Sequence, residues 1–149
     1  MTRHGSWGCG PKQLLERMCY MAKRKNRPKR NTRIIQKNWI DQANEQIRQQ
    51  DYEGLAQTCQ DVLRDAPPKS QKRADSLEYL AVAYTMLKQF EDSYQTLSQL
   101  LEINPRQAYF WYNRGMVGRY TLRLVQATHD FEKAVSLEKD PAQRQKFIG

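Results

Sequence analysis

Two sets of residues in this chain have types that carry reaction chemistry. His129 stands beside Asp130, and an imidazole with a carboxylate becomes a proton-transfer site when a serine or cysteine faces the ring. No serine or cysteine is placed against it by the sequence, no glycine-rich phosphate loop occurs, and the acidic residues are scattered at positions that read as solvated helix faces. His129 lies on the far side of its helix from Ala127, Phe131 and Ala134, which makes it a surface histidine. His4, Cys9 and Cys19 are candidate metal donors, but their spacing fits no compact zinc pattern and one or more ligands are missing. The sequence therefore predicts no enzyme, no metal site and no cofactor.

Charge is a different matter. Lys23, Arg24, Lys25, Arg27, Lys29, Arg30 and Arg33 crowd into eleven residues around Pro28 with no acid and no aromatic among them. Like charges repel, and nothing in the run can be buried, so it is expected to stay extended as a flexible arm. Such an arm neutralises phosphates without reading sequence, which suits RNA, DNA or another anionic surface; a solubilising tail is the plainer alternative. The net charge of +9 belongs wholly to this end. Residues 1–35 hold ten lysines or arginines and one acid, Glu16, whereas residues 36–149 hold fifteen of each sign. Within the arm, residues 13–23 have apolar spacing for a short helix, marginal at that length unless it docks. Translation from Met21 would begin directly on the basic run, so the first 20 residues are expected to be dispensable or a wrongly assigned start.

The remaining composition is that of an ordinary soluble domain, 39% apolar and 28% charged. No apolar run reaches the roughly 18 residues a membrane helix needs, and the N-terminus lacks the pattern of a signal peptide. The expected location is the cytoplasm, without membrane contact. Three cysteines, with Cys59 at a core position, make no disulfide framework and are expected to be reduced thiols.

What organises the chain is a repeat. Leu77, Leu80, Ala81 and Tyr84, then Phe90, Ser93, Leu97 and Leu100, are apolar or small residues three and four apart, interrupted at Lys88-Gln89 and closed by Asn104-Pro105. This is the pattern of a helical hairpin. Shifted by 34 residues, Trp111, Gly115, Leu124, Ala127, Phe131 and Ala134 fall into the slots of Leu77, Ala81, Phe90, Ser93, Leu97 and Leu100. Shifted back by 38, so do Trp39, Ala43, Tyr52, Leu55, Cys59 and Val62, with Pro67 under Pro105 and the four extra residues assigned to a longer connection, Pro68 to Arg73. Small residues at Ala43, Ala81 and Gly115 let paired helices approach, Trp39, Leu77 and Trp111 fill the space beside them, and Pro67, Pro105 and Pro141 stop each second helix.

In spacing, residue size and closing proline, this pattern resembles the tetratricopeptide repeat family. The resemblance implies an all-α fold: an α-solenoid of three antiparallel helical hairpins in a right-handed superhelix, over residues 36–141, with repeats at 36–69, 74–107 and 108–141. Arg114 stands where the family prefers leucine and Gly118 where it prefers an aromatic, and Pro141 arrives late, so the third repeat is expected to be looser than the second. The resemblance also implies a protein-binding scaffold that takes a peptide or helix along the first helix of each hairpin. Carried over, the groove positions are Lys37, Ile40, Asp41, Asn44 and Arg48, then Glu78, Tyr79, Val82 and Met86, then Tyr109, Tyr112, Asn113, Met116, Arg119 and Tyr120. A subgroup of co-chaperones grips a terminal carboxylate from positions that are here Ile40, Asn44, Tyr79, Tyr109 and Asn113. Only Asn44 matches, so that ligand is disfavoured.

Residues 142–149 read as the start of a capping helix or of a truncated next repeat. Phe131, Val135 and Leu137 would meet only Phe147 and Ile148, and the expectation is a fragment of a longer repeat protein, or an open end covered by self-association or by a partner.

Overall fold

A computed structural model of the protein describes residues 32–148; the residues expected to form the arm as far as Arg30, and with them the candidate helix at 13–23 and the start at Met21, lie outside that range. The described residues form seven helices and no strand: α1 (Thr32–Arg48), α2 (Tyr52–Asp65), α3 (Gln71–Met86), α4 (Phe90–Ile103), α5 (Ala108–Tyr120), α6 (Leu124–Leu137) and α7 (Pro141–Ile148). Helices α1 to α6 make three antiparallel hairpins, and α7 follows on the third. Helix α1 starts ahead of the expected boundary at residue 36, which puts Arg33 within its first turn.

The repeat is visible in the backbone itself. The second residue after each first helix adopts the left-handed conformation: Gln50 at φ 57°, Lys88 at φ 59° and Leu122 at φ 60°, spaced by the same 38 and 34 residues as the side-chain pattern. At each turn the next amide reaches back five residues, from Asp51 to Gln46 O at 2.8 Å, from Gln89 to Tyr84 O at 2.8 Å and from Arg123 to Gly118 O at 2.9 Å. These are three copies of one helix-ending motif, in which a left-handed residue lets orphan carbonyls find donors.

Starts and stops follow local chemistry. Asp51 caps α2 by accepting from the Gly54 amide at 2.9 Å, and Ser70 caps α3 by accepting from Arg73 N at 3.1 Å. The cap at Ser70 shortens the connection expected from Pro68 to Arg73, whose last three residues are already helical. Pro67 and Pro105 lie in the loops between hairpins. Pro141 does not, because it opens α7, where a missing N–H costs nothing and the Asp140 carboxylate accepts from Ala142 N at 2.9 Å.

Two apolar clusters make the core. Trp39, Ala43, Leu55, Cys59, Leu80 and Ala83 join α1, α2 and α3; Leu77, Ala81, Tyr94, Leu97, Leu100, Phe110 and Val117 join α3, α4 and α5. The small residues behave as expected: Ala43, Ala81 and Gly115 are all buried, and a Cβ on Gly115 would stand 2.9 Å from the Phe131 ring. Trp111 departs from expectation. It is only half-buried, its indole donates to Pro105 O at 2.8 Å, and the space beside Gly115 is filled by Phe131 instead.

The Arg114 and Gly118 departures have partners. Asp130, read from sequence as solvated, is completely buried, and both its oxygens accept from Arg114, each at 2.8 Å. Gln126 adds a donor to Asp130 at 3.0 Å, Ser98 accepts from Arg114 at 3.2 Å, and the guanidinium lies over the rings of Trp111 and Tyr94 at 5.0 and 5.5 Å. The ion pair thus ties α4, α5 and α6 together where a leucine would only have packed. Gly118 is buried against α6, where a Cβ would stand 3.4 Å from the Ala127 methyl, in ordinary contact, and 3.6 Å from the Tyr94 ring of α4.

The charged pair predicts an asymmetric response. Asp130→Ala should cost about 3–5 kcal/mol in urea unfolding, since it strands a guanidinium whose side chain is 13% exposed. The double variant Arg114→Leu/Asp130→Ala should recover most of that loss.

Candidate functional site

The first helices of the hairpins, α1, α3 and α5, carry most of the residues singled out from sequence, and three adjoining hollows run across them. The first, about 460 Å³, lies between α1 and α3 and is lined by Ile40, Ile47, Asp75, Glu78, Tyr79 and Val82. The second, about 210 Å³, lies between α3 and α5, with Leu97 of α4 at its floor. The third, about 570 Å³, lies among α5, α6 and α7. Val82 and Glu78 are shared by the first and second, and Met116 by the second and third.

Val82, Met86, Tyr109, Asn113 and Met116 all line the second hollow. Its apolar rim is open to solvent: Val82 is 39% exposed, Met86 52% and Tyr109 51%. Tyr79 is half-buried, edge-on to Trp39 with centroids 5.8 Å apart, and its hydroxyl donates to Asn44 Oδ1 at 2.9 Å. Asn44 is thereby engaged with Tyr79 across α1 and α3. Arg48 is exposed and pairs with Glu45 one turn earlier on its own helix. Tyr112, Met116 and Arg119 line the third hollow, where Tyr112 stacks on Phe147 of α7 at 4.7 Å. Tyr120 lies in none of these hollows; its ring stacks on Phe90 at 4.4 Å beside the turns. Asp41 is exposed on α1, and the Lys37 side chain lies outside the described residues.

Glu78 was one of the groove positions carried over from the resemblance, and the structure brings it forward. It lines the first and second hollows and an outer one shared with Asp75 and Arg106. Although the carboxylate reaches solvent, the protein around its stem and the Asp75 charge push its pKa above the ordinary carboxylate range. Among the described residues no cation pairs with it. Because Asp75 and Glu78 lie three apart on one helix face, the clue was present in the sequence as a like-charge pair.

The groups that suggested reaction chemistry are placed otherwise. His129 is exposed, and Asp130 beside it is held by Arg114 and Gln126. Cys59 is buried in the first core cluster, and burial pushes its thiol up to about 12, leaving no thiolate for chemistry. Among the described residues, no group of three His, Cys, Asp or Glu side chains can hold a metal ion, and no helix is long and apolar enough to cross a membrane.

Architecture and hollows together define a helical-repeat protein of three hairpins. No family model matches the chain. In sequence, 89 residues are 33% identical to serine/threonine-protein phosphatase 5 of Mus musculus, Homo sapiens and Rattus norvegicus, a match covering 58% of this chain but only 18% of the length of those relatives. In structure, the chain superimposes on the TPR domain of Sgt2 from Aspergillus fumigatus with a TM-score of 0.64 at 16% identity, over 76% of this chain and 74% of that one. The fold is that of a tetratricopeptide-repeat domain, an all-α array of helical hairpins.

The raised Glu78 value fixes a pH dependence. A carboxyl whose pKa is higher folded than unfolded contributes stability when neutral, and that contribution is lost as pH rises through the folded value. Glu78→Gln should therefore raise Tm relative to the parent near pH 7 and lose that advantage near pH 4, about the ordinary carboxylate value, in thermal melts across that range.

Proposed function

We propose that this chain is a protein-interaction module that takes a peptide or short helix of a partner along α3 and α5, with the second hollow as the central seat. The observation that carries the reading is the row of part-exposed apolar side chains, Val82, Met86 and Tyr109, over a floor of Ala81, Leu97 and Val117. A rigid scaffold holds these residues at the mouth of a hollow, and an apolar side chain entering it gains burial without reshaping the protein. Asn113 supplies a polar group for a ligand backbone. Met86→Asp tests the reading. Peptides selected on the full chain from a random library should bind it at least about tenfold more weakly in fluorescence anisotropy, because the added carboxylate must be desolvated with no partner. Tm should stay at the parental value, since Met86 is exposed.

A second reading is favoured by the segregation of charge. The seven basic residues from Lys23 to Arg33 give the chain a means of binding RNA or DNA while the repeats engage a protein. Titration of a random-sequence single-stranded RNA should then show log affinity falling with log salt at a slope of about −5, as seven neutralised phosphates require. Met86→Asp should leave that slope unchanged.

A further inference from the structure

Glu78 is the one charged residue among those lining the second hollow, and it stands at the edge shared with the first. We propose that the ligand of this groove presents a lysine or arginine to Glu78 and Asp75 while neighbouring apolar residues seat on Val82, Met86 and Tyr109. The proposal rests on the groove reading above and deepens it by naming the ligand's charge.

Three observations on the molecule favour a cationic ligand. Asp75 and Glu78 sit three residues apart on α3, so their charges oppose each other within the folded protein and a cation relieves that repulsion. The protein keeps the Glu78 charge partly desolvated and without an ion-pair partner among the described residues, the state of a group poised to accept one. Arg106 lines the outer side of the same surface and pairs with neither carboxylate. The second hollow itself offers no described cation to a ligand carboxylate, since Tyr109 and Asn113 occupy that ground; Arg119 and Lys146 belong to the third hollow. The chain as a whole is strongly basic, so attraction by its net charge favours acidic peptides. Selection of basic ones would have to come from a local site.

The test is a synthetic random peptide library, amidated at the C-terminus, screened against the full chain at about 150 mM salt to screen long-range attraction. Enrichment of Lys or Arg next to apolar residues is expected. For one enriched peptide, Glu78→Gln/Asp75→Asn should weaken binding about five- to tenfold, and should leave unchanged the binding of the same peptide with its basic residue replaced by glutamine, a coupling read as a double-mutant cycle. Enrichment of neutral or acidic peptides, or a cycle without coupling, overturns the proposal. If coupling is absent while Met86→Asp still abolishes binding, the groove stands and the cation falls. If neither variant changes binding, both fall.

Discussion

Each hairpin closes only because its two helices come within touching distance at one point, and Ala43, Ala81 and Gly115 are the residues that permit it. A larger side chain there would drive the pair apart and undo the burial of everything on either side. At Gly115 the clearance is already spent, with the Phe131 ring where a methyl would need to be. The hollows inherit this constraint. They exist because successive first helices are held side by side at a separation set by the helices behind them, so the width of the proposed binding surface is determined in the core.

The third hairpin is built on a different bargain from the second. Where Leu77, Ala81 and Leu97 interlock as hydrocarbon, its counterpart uses a half-buried Trp111, a guanidinium and a fully buried carboxylate. An ion pair of this kind contributes little net stability over well-packed apolar groups, but it tolerates no misalignment, since an unpaired charge inside is costly. It specifies the angle at which α6 lies on α5 more narrowly than leucine would.

How much of this was readable beforehand depended on whether a feature was periodic. The hairpins, the small residues and the slots of Leu55, Leu97 and Leu100 recur at fixed spacing, and periodicity is what a single chain displays. The burial of Asp130 was not legible because pairing with Arg114 is a relation in space between residues sixteen apart, and either one alone resembles a solvated helix residue. Trp111 was misjudged for the same reason: its slot predicted burial, but Phe131 fills the space beside Gly115 and leaves the indole half-buried with the Arg114 guanidinium over its ring. Among the candidate binding residues, the sequence placed Val82, Met86, Tyr109, Asn113 and Met116 on one side of the first helices, and they do line one hollow. It could not separate them from Tyr112 and Tyr120, because whether an aromatic ring faces a groove or stacks on Phe147 or Phe90 is decided by residues more than two turns away.

The left-handed residues at the three turns bear on how far this molecule is from its own limit. Gln50, Lys88 and Leu122 each carry a Cβ in a conformation that glycine adopts freely and that costs other residues about 1–2 kcal/mol. Against a total stability of about 5–15 kcal/mol for a domain, three such sites are a sizeable fraction. Leu122 also leaves an apolar side chain almost wholly in water, 82% exposed. The array therefore holds unrealised thermal tolerance at positions that line none of the three hollows, and a drifting population of sequences could raise its melting point there without replacing a residue of the surface on which a partner would rest.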